Sequence, residues 1–176
     1  MQKSIEKMDI KTGDTLLVSG TSFLAHAIQT FEGIKWNHAG MFVWLNDVLY
    51  VCEASEKGIV ITLFRIYEEK AGIGLLVMRP KSKIIEDEYI DFMLPYVGHT
   101  TYGFFNLIVA QAVRFMTKKK IWIGPKKDPM THHFICGEFV SFVYNHFIPG
   151  EFKNWNELAP SDLFESDFFD SKEVFK

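Results

Sequence analysis

The chain has 176 residues, a length that suits one domain able to bury a real core. With 48% hydrophobic residues against 23% charged, it reads as globular rather than disordered. The net charge of -3 gives nucleic acid no footprint, and the local cluster Lys118, Lys119, Lys120, Lys126 and Lys127 reads as a solvated loop.

Cys52 and Cys136 are the only cysteines, too few for a disulfide framework, and they form no CxxC metal pattern. The stretch Met1 to Asp14 is charged and carries no apolar run of the secretory type. The longest apolar run, Phe104 to Met116, is interrupted by Asn106, Gln111 and Arg114 and is too short to span a bilayer. The expectation is a cytoplasmic protein without a transmembrane segment, or a secreted one if a leader has been removed.

Thr15 to Val18 reads as a short buried strand after the turn Gly13-Asp14. Thr21 or Ser22 then caps a helix with Phe23, Leu24, Ala27, Ile28 and Phe31 at helical spacing, ended by Gly33. Strands follow over Asn37 to Leu45 and Val48 to Ala54, joined by Asn46-Asp47 in a hairpin pattern. Ile59 to Phe64 and Leu75 to Met78 read as two more strands, the second closed by Pro80. The second half is mainly helical: Ile84 to Leu94 up to Pro95, Phe104 to Met116, and Cys136 to Phe147 before Pro149-Gly150. In the last of these Cys136, Phe139, Val140, Val143 and Phe147 share one stripe, so the cysteine faces packed structure. The acidic tail from Glu151 reads as an irregular strap. The fold class is α+β, an antiparallel sheet or small barrel packed against helices.

Two residues carry the chemistry. A cysteine opening an apolar helix and a histidine within an apolar strand are what a thiol nucleophile and its base require, since the thiolate is the reactive species. If Asn46-Asp47 is a two-residue loop, Leu45 pairs with Val48 and paired residue numbers sum to 93. Gly40 then faces Glu53, and His38 and Glu53 become diagonal neighbours on one sheet face. A carboxylate there fixes the imidazole tautomer and favours its charged form, the orienting role of a third triad member. Cys52 points to the other face and reads as core. Glu138, two residues past the cysteine, reads as solvated or bonded to a neighbouring loop. His132 and His133 are adjacent, a spacing that suits one metal ion poorly, so no metal and no cofactor is expected.

In order, the motifs Gly13-Asp14-Thr15-Leu16-Leu17, Gly20-Thr21-Ser22-Phe23-Leu24, Asn37-His38-Ala39-Gly40, Glu53-Ala54, Tyr102-Gly103-Phe104, Cys136-Gly137-Glu138-Phe139-Val140 and Pro160-Ser161-Asp162-Leu163 resemble the YiiX/YebB-like proteins. These are circularly permuted papain-like relatives of the NlpC-type cell-wall hydrolases, and the resemblance spans Lys11 to Leu163. It implies a single permuted papain-like domain over residues 1–176, with Cys136 as nucleophile, His38 as general base and Glu53 as the orienting residue. It also implies an oxyanion-site partner, for which Tyr102 is the candidate. The chain departs from the pattern at Gly137, where serine is frequent, and at Ser19, where arginine is frequent.

The leading expectation is a cysteine hydrolase of amidase or peptidase type. It would act on a peptide, a peptidoglycan-derived stem or a lipid amide through a thioacyl intermediate. Two alternatives keep the same residues. One is a lipid-directed acyltransferase or esterase, suggested by Phe104, Phe105, Phe134 and Phe139; the other is a binding module with idle chemistry.

Overall fold

The computed structural model describes residues 9–20, 35–82, 84, 86–98, 134–152, 155 and 158–174. Six strands form one open sheet: β1 (Thr15–Ser19), β2 (His38–Leu45), β3 (Val48–Ser55), β4 (Gly58–Leu63), β5 (Gly74–Pro80) and β6 (Phe169–Val174). Their order is β4-β3-β2-β1-β5-β6, and every neighbouring pair is antiparallel. The described helices are α1 (Arg65–Glu69), α2 (Glu86–Met93), α3 (Cys136–Phe147) and α4 (Pro160–Glu165), with a 3-10 turn at Leu94–Tyr96 after α2. The class is α+β, and the sheet stays open rather than closing into a barrel.

The β2–β3 hairpin follows from its turn chemistry. Asn46 and Asp47 both take positive φ, 49° and 61°, which matches a two-residue primed turn and the twist of the flanking strands. Leu45 therefore pairs with Val48 and Gly40 with Glu53, the register that the loop length predicts. Glu56-Lys57 is also a two-residue loop, with Ser55 opposite Gly58, but there the positive φ, 93°, falls on Gly58 and not on the loop residues.

Both faces of the sheet are covered, so β1 is buried along its whole length. On one face Leu17, Ala39, Met41, Val43, Cys52 and Met78 pack with Phe139, Val140 and Val143 of α3. On the other, Leu16, Val18, Phe42, Val51, Leu75 and Val77 gather with Phe64. Cys52 is thus core, as its strand parity predicts. Phe134 and Phe139 are fully buried, their rings 5.7 Å apart in an edge-on contact.

The tail is more regular than a strap. Pro160 occupies the first turn of α4 and the Asp162 carboxylate accepts the Ala159 N–H at 2.9 Å, which starts that helix. The chain then returns to the sheet as β6, pairing along β5. The helix expected over Phe104 to Met116 and the one starting at Thr21 or Ser22 lie outside the described residues. No helix among the described residues is long and apolar enough to cross a membrane.

Tyr144 fastens α3 to the sheet. Its hydroxyl donates to the Gly13 carbonyl at 2.6 Å and meets Thr15 Oγ1 at 2.7 Å, with every partner buried. Tyr144→Phe strands the Thr15 hydroxyl and the Gly13 carbonyl, and the expected loss is about 1–3 kcal/mol in urea denaturation. A variant as stable as the parent would mean that the two bonds contribute nothing net.

Candidate active site

His38 is the first residue of β2, and the residue before it sets its position. The Asn37 side chain bridges Gly20, accepting from its N–H at 3.2 Å and donating to its carbonyl at 3.3 Å. The Asn37 N–H reaches the Val18 carbonyl at 3.0 Å. The exit of β1 and the entry of β2 are thereby clamped together. Asp14, in the first motif, is structural: it accepts the Lys11 N–H and takes the Arg79 guanidinium through both carboxylate oxygens.

Glu53 comes from the neighbouring strand, 4% exposed, with Gly40 opposite. A Cβ at Gly40 would stand 2.5 Å from Val51 Cγ1 and 3.2 Å from Glu53 Cβ, so glycine leaves the carboxylate its room. Glu53 Oε2 accepts from His38 Nε2, the diagonal contact that the hairpin register predicts. Two hydroxyls join it: Tyr67 donates to Oε2 and Thr62 donates to Oε1.

Cys136 opens α3, whose N-terminus is ordered by Glu138. That carboxylate accepts the Ile135 N–H at 3.0 Å and is buried, so Glu138 is not solvated but bonded to the segment just before its helix. Three residues past Ile135, Glu138 makes the return half of a capping box, its carboxylate reaching back to the N-cap backbone. The Cys136 thiol is close enough to His38 to act on its charge state. With Nε2 committed to Glu53, the ring offers Nδ1 to the sulfur. The structure therefore sets His38 against Glu53 and within electrostatic reach of Cys136. Tyr102 lies outside the described residues, as do His132 and His133.

The electrostatics follow from this arrangement. Burial works against the imidazolium, but Cys136 and the Glu53 carboxylate outweigh it and raise His38 from 6.5 to about 10. Burial likewise works against the Glu53 carboxylate, yet His38, Thr62 and Tyr67 hold its pKa below the ordinary 4.5. Burial, then the Glu53 charge, push the Tyr67 phenol and the Cys52 thiol well above their usual ranges.

Neither Thr62 nor Tyr67 emerges from the sequence reading. Thr62 was within reach: the two-residue loop Glu56-Lys57 pairs Val51 with Thr62, which makes Thr62 a diagonal neighbour of Glu53. Tyr67 sits on a five-residue helix with no buried residue, so no periodicity announces it. A separate cavity of about 630 Å³ lies near the far end of β2, lined by Trp44, Asp14, Arg79 and Lys81, and includes none of the three site residues.

No known protein-family profile matches the chain, and no curated protein matches it either. Among solved structures it is similar to the crystal structure of the metalloprotein YiiX from Escherichia coli O157:H7, with a TM-score of 0.56. The match covers 94% of this chain and 97% of that one at 17% identity. The fold is YiiX-like. At that identity the likeness speaks for architecture, and the YiiX-like arrangement of sheet and helices is what the ordered motifs led us to expect.

The pH dependence has a definite sign. His38, raised from 6.5 to about 10, contributes stability that is complete below about pH 6.5 and lost as pH rises through about 10. Glu53, lowered from 4.5, contributes stability present above about pH 4.5 and lost as pH falls through its depressed value. Urea midpoints measured across this range are expected to form a plateau that falls at both ends. In Glu53→Gln the acid arm contributed by this carboxylate disappears and the alkaline fall moves to lower pH; an unchanged profile would contradict the pairing.

Proposed function

We propose that the chain is a cysteine hydrolase of amidase or peptidase type, acting through Cys136, His38 and Glu53 in a permuted papain-like domain. The observation that carries this reading is His38 held between the thiol of a helix N-terminus and a buried carboxylate. The ordered motifs support the relation to NlpC-type hydrolases, and the YiiX-like architecture is compatible with it.

The reaction begins with one proton shared between sulfur and imidazole. With that proton on His38, the Cys136 thiolate attacks the carbonyl carbon of an amide. The carbonyl oxygen becomes an oxyanion facing the first turn of α3. The opening N–H groups of a helix have no intrahelical acceptor, and Glu138 already takes that of Ile135, so those of Cys136 and Gly137 are the donors on offer. One such donor is worth about 3–4 kcal/mol at the transition state in well-studied enzymes. Tyr102 remains the candidate for a side-chain donor. Collapse of the intermediate passes the His38 proton to the leaving amine and leaves a thioester on Cys136. His38 then takes a proton from water, whose oxygen attacks the thioester and releases a carboxylic acid and the free thiol. Through both steps Glu53 keeps Nε2 protonated and the ring in place.

YiiX is described as a metalloprotein, which raises the question of an ion here. Among the described residues no group of three His, Cys, Asp or Glu side chains is arranged to hold one. At the site His38 Nε2 and both Glu53 oxygens are already engaged with one another and with Thr62 and Tyr67. These residues do not fit a metal as arranged, and no step is routed through one.

The acyltransferase alternative drew on four phenylalanines. Phe134 and Phe139 are fully buried in the core, while Phe104 and Phe105 lie outside the described residues. Hydrolysis is therefore the reading we adopt.

A thiol-directed acylating probe at neutral pH is expected to modify Cys136 in the parent protein and to lose that label in Cys136→Ala, while circular dichroism stays unchanged. Cys52 is fully enclosed with its thiol pKa raised, so it supplies no background. Equal labelling of parent and variant would overturn the assignment of the nucleophile.

A further inference from the structure

The Glu53 carboxylate is saturated by protein groups from three separate elements. Oε2 takes His38 Nε2 from β2 and the Tyr67 hydroxyl from α1; Oε1 takes the Thr62 hydroxyl from β4. At 4% exposure there is almost no water to substitute for any of them. A buried carboxylate lacking donors takes up a proton instead, and a protonated Glu53 would offer His38 a donor where the ring needs an acceptor.

We propose that Tyr67 and Thr62 are positioning residues of this site: their hydroxyls hold Glu53 as an oriented, acceptor-only anion and so set the pH range over which His38 stays charged. The proposal rests on the reading of Cys136, His38 and Glu53 as one chemical unit. It adds two residues that act through the carboxylate.

The placement of both residues is hard to explain by packing alone. Thr62 lies on β4, which among the described residues is at the edge of the sheet, with a strand on one side only. Its side chain is partly exposed, and its short contact with Glu53 points inward along the face shared with Val51. Tyr67 belongs to a helix of five residues with no buried member, yet its phenol reaches a carboxylate that is itself enclosed. The Tyr67 ring stacks on Phe64 at 6.5 Å between centroids, which steers the hydroxyl without requiring it. Phenylalanine at 67 would keep that stacking and remove only the donor.

The titratable groups that bear on this cluster come from four directions: Cys136 from α3, His38 from β2, Glu53 and Cys52 from β3, and Tyr67 from α1. With the phenol pKa raised by burial and the Glu53 charge, Tyr67 stays a donor throughout the range in which His38 titrates. Removing either hydroxyl shifts the balance at Glu53 toward the neutral acid, and the imidazolium loses part of its partner.

The test uses the full chain in four forms: parent, Tyr67→Phe, Thr62→Val and Thr62→Ser. Two quantities are followed: the His38 ring titration by nitrogen-detected NMR, and the pH dependence of Cys136 alkylation by iodoacetamide. Tyr67→Phe and Thr62→Val are each expected to lower the His38 pKa by about one pH unit, a tenfold change in its protonation equilibrium. The alkylation profile should shift with it. Thr62→Ser, which keeps a hydroxyl, should match the parent. Should Tyr67→Phe fail to fold, the Thr62 pair decides on its own. Folded variants whose His38 titration and alkylation profile match the parent would overturn the positioning role. That result is distinct from failure of the catalytic reading, which would show as alkylation that survives Cys136→Ala.

Discussion

Asn46 and Asp47 both adopt left-handed backbone angles, and the two-residue turn they make decides which face of β3 carries Glu53. Side chains alternate along a strand, so a register slipped by one residue would turn Glu53 to the opposite face, away from His38. Everything downstream inherits that parity: the His38–Glu53 bond, the commitment of Nε2, and the availability of Nδ1 to Cys136. Gly40 completes the arrangement, because a Cβ there would meet both Val51 and Glu53. A short turn and one missing methyl group thus position a site whose third member lies almost a hundred residues further along.

The cluster around Glu53 is poorly explained as a stabilising device. Taking an imidazolium and a carboxylate out of water costs several kcal/mol per ion, and well-packed apolar residues of similar volume are often as stable or more so. The same pair gains meaning when its effect on charge is considered. Three donors hold one carboxylate below its normal range, and that carboxylate together with the sulfur holds an imidazole above its own. Groups shifted in opposite directions by each other are the pattern that acid–base chemistry uses.

Legibility in the sequence tracked how local the signal was. Turn residues and strict alternation made the β2–β3 register and the core role of Cys52 readable, and an apolar stripe marked α3. For Glu138 two readings stood open, solvation or a bond to a neighbouring loop, because helical periodicity places it away from the stripe; it is buried and bonded to the backbone just before its own helix. The tail was misjudged. An edge strand needs only one hydrogen-bonded neighbour and tolerates charge, so Phe169–Val174 carries no apolar alternation to advertise it. Tyr67 was invisible because its helix is held by no buried residue, and its importance comes from a hydroxyl, which no periodicity encodes.

Gly137 shows how a departure from a motif can be geometric rather than chemical. The start of α3 is approached so closely by the segment leading into α4 that a Cβ at residue 137 would lie 2.4 Å from the Leu158 carbonyl oxygen and 2.8 Å from the Ala159 carbonyl carbon. Both atoms are backbone, so neither can swing aside as a side-chain tip would. Serine at this position would force the two segments apart and, with them, the helix turn that presents Cys136. Glycine here is the counterpart of a tight approach by residues 158–159. The same approach brings Phe164 of α4 to 6.2 Å from the ring of Trp36, two residues before His38. The segment entering α4 therefore touches the helix that carries the thiol, and α4 itself reaches the chain that leads into the imidazole.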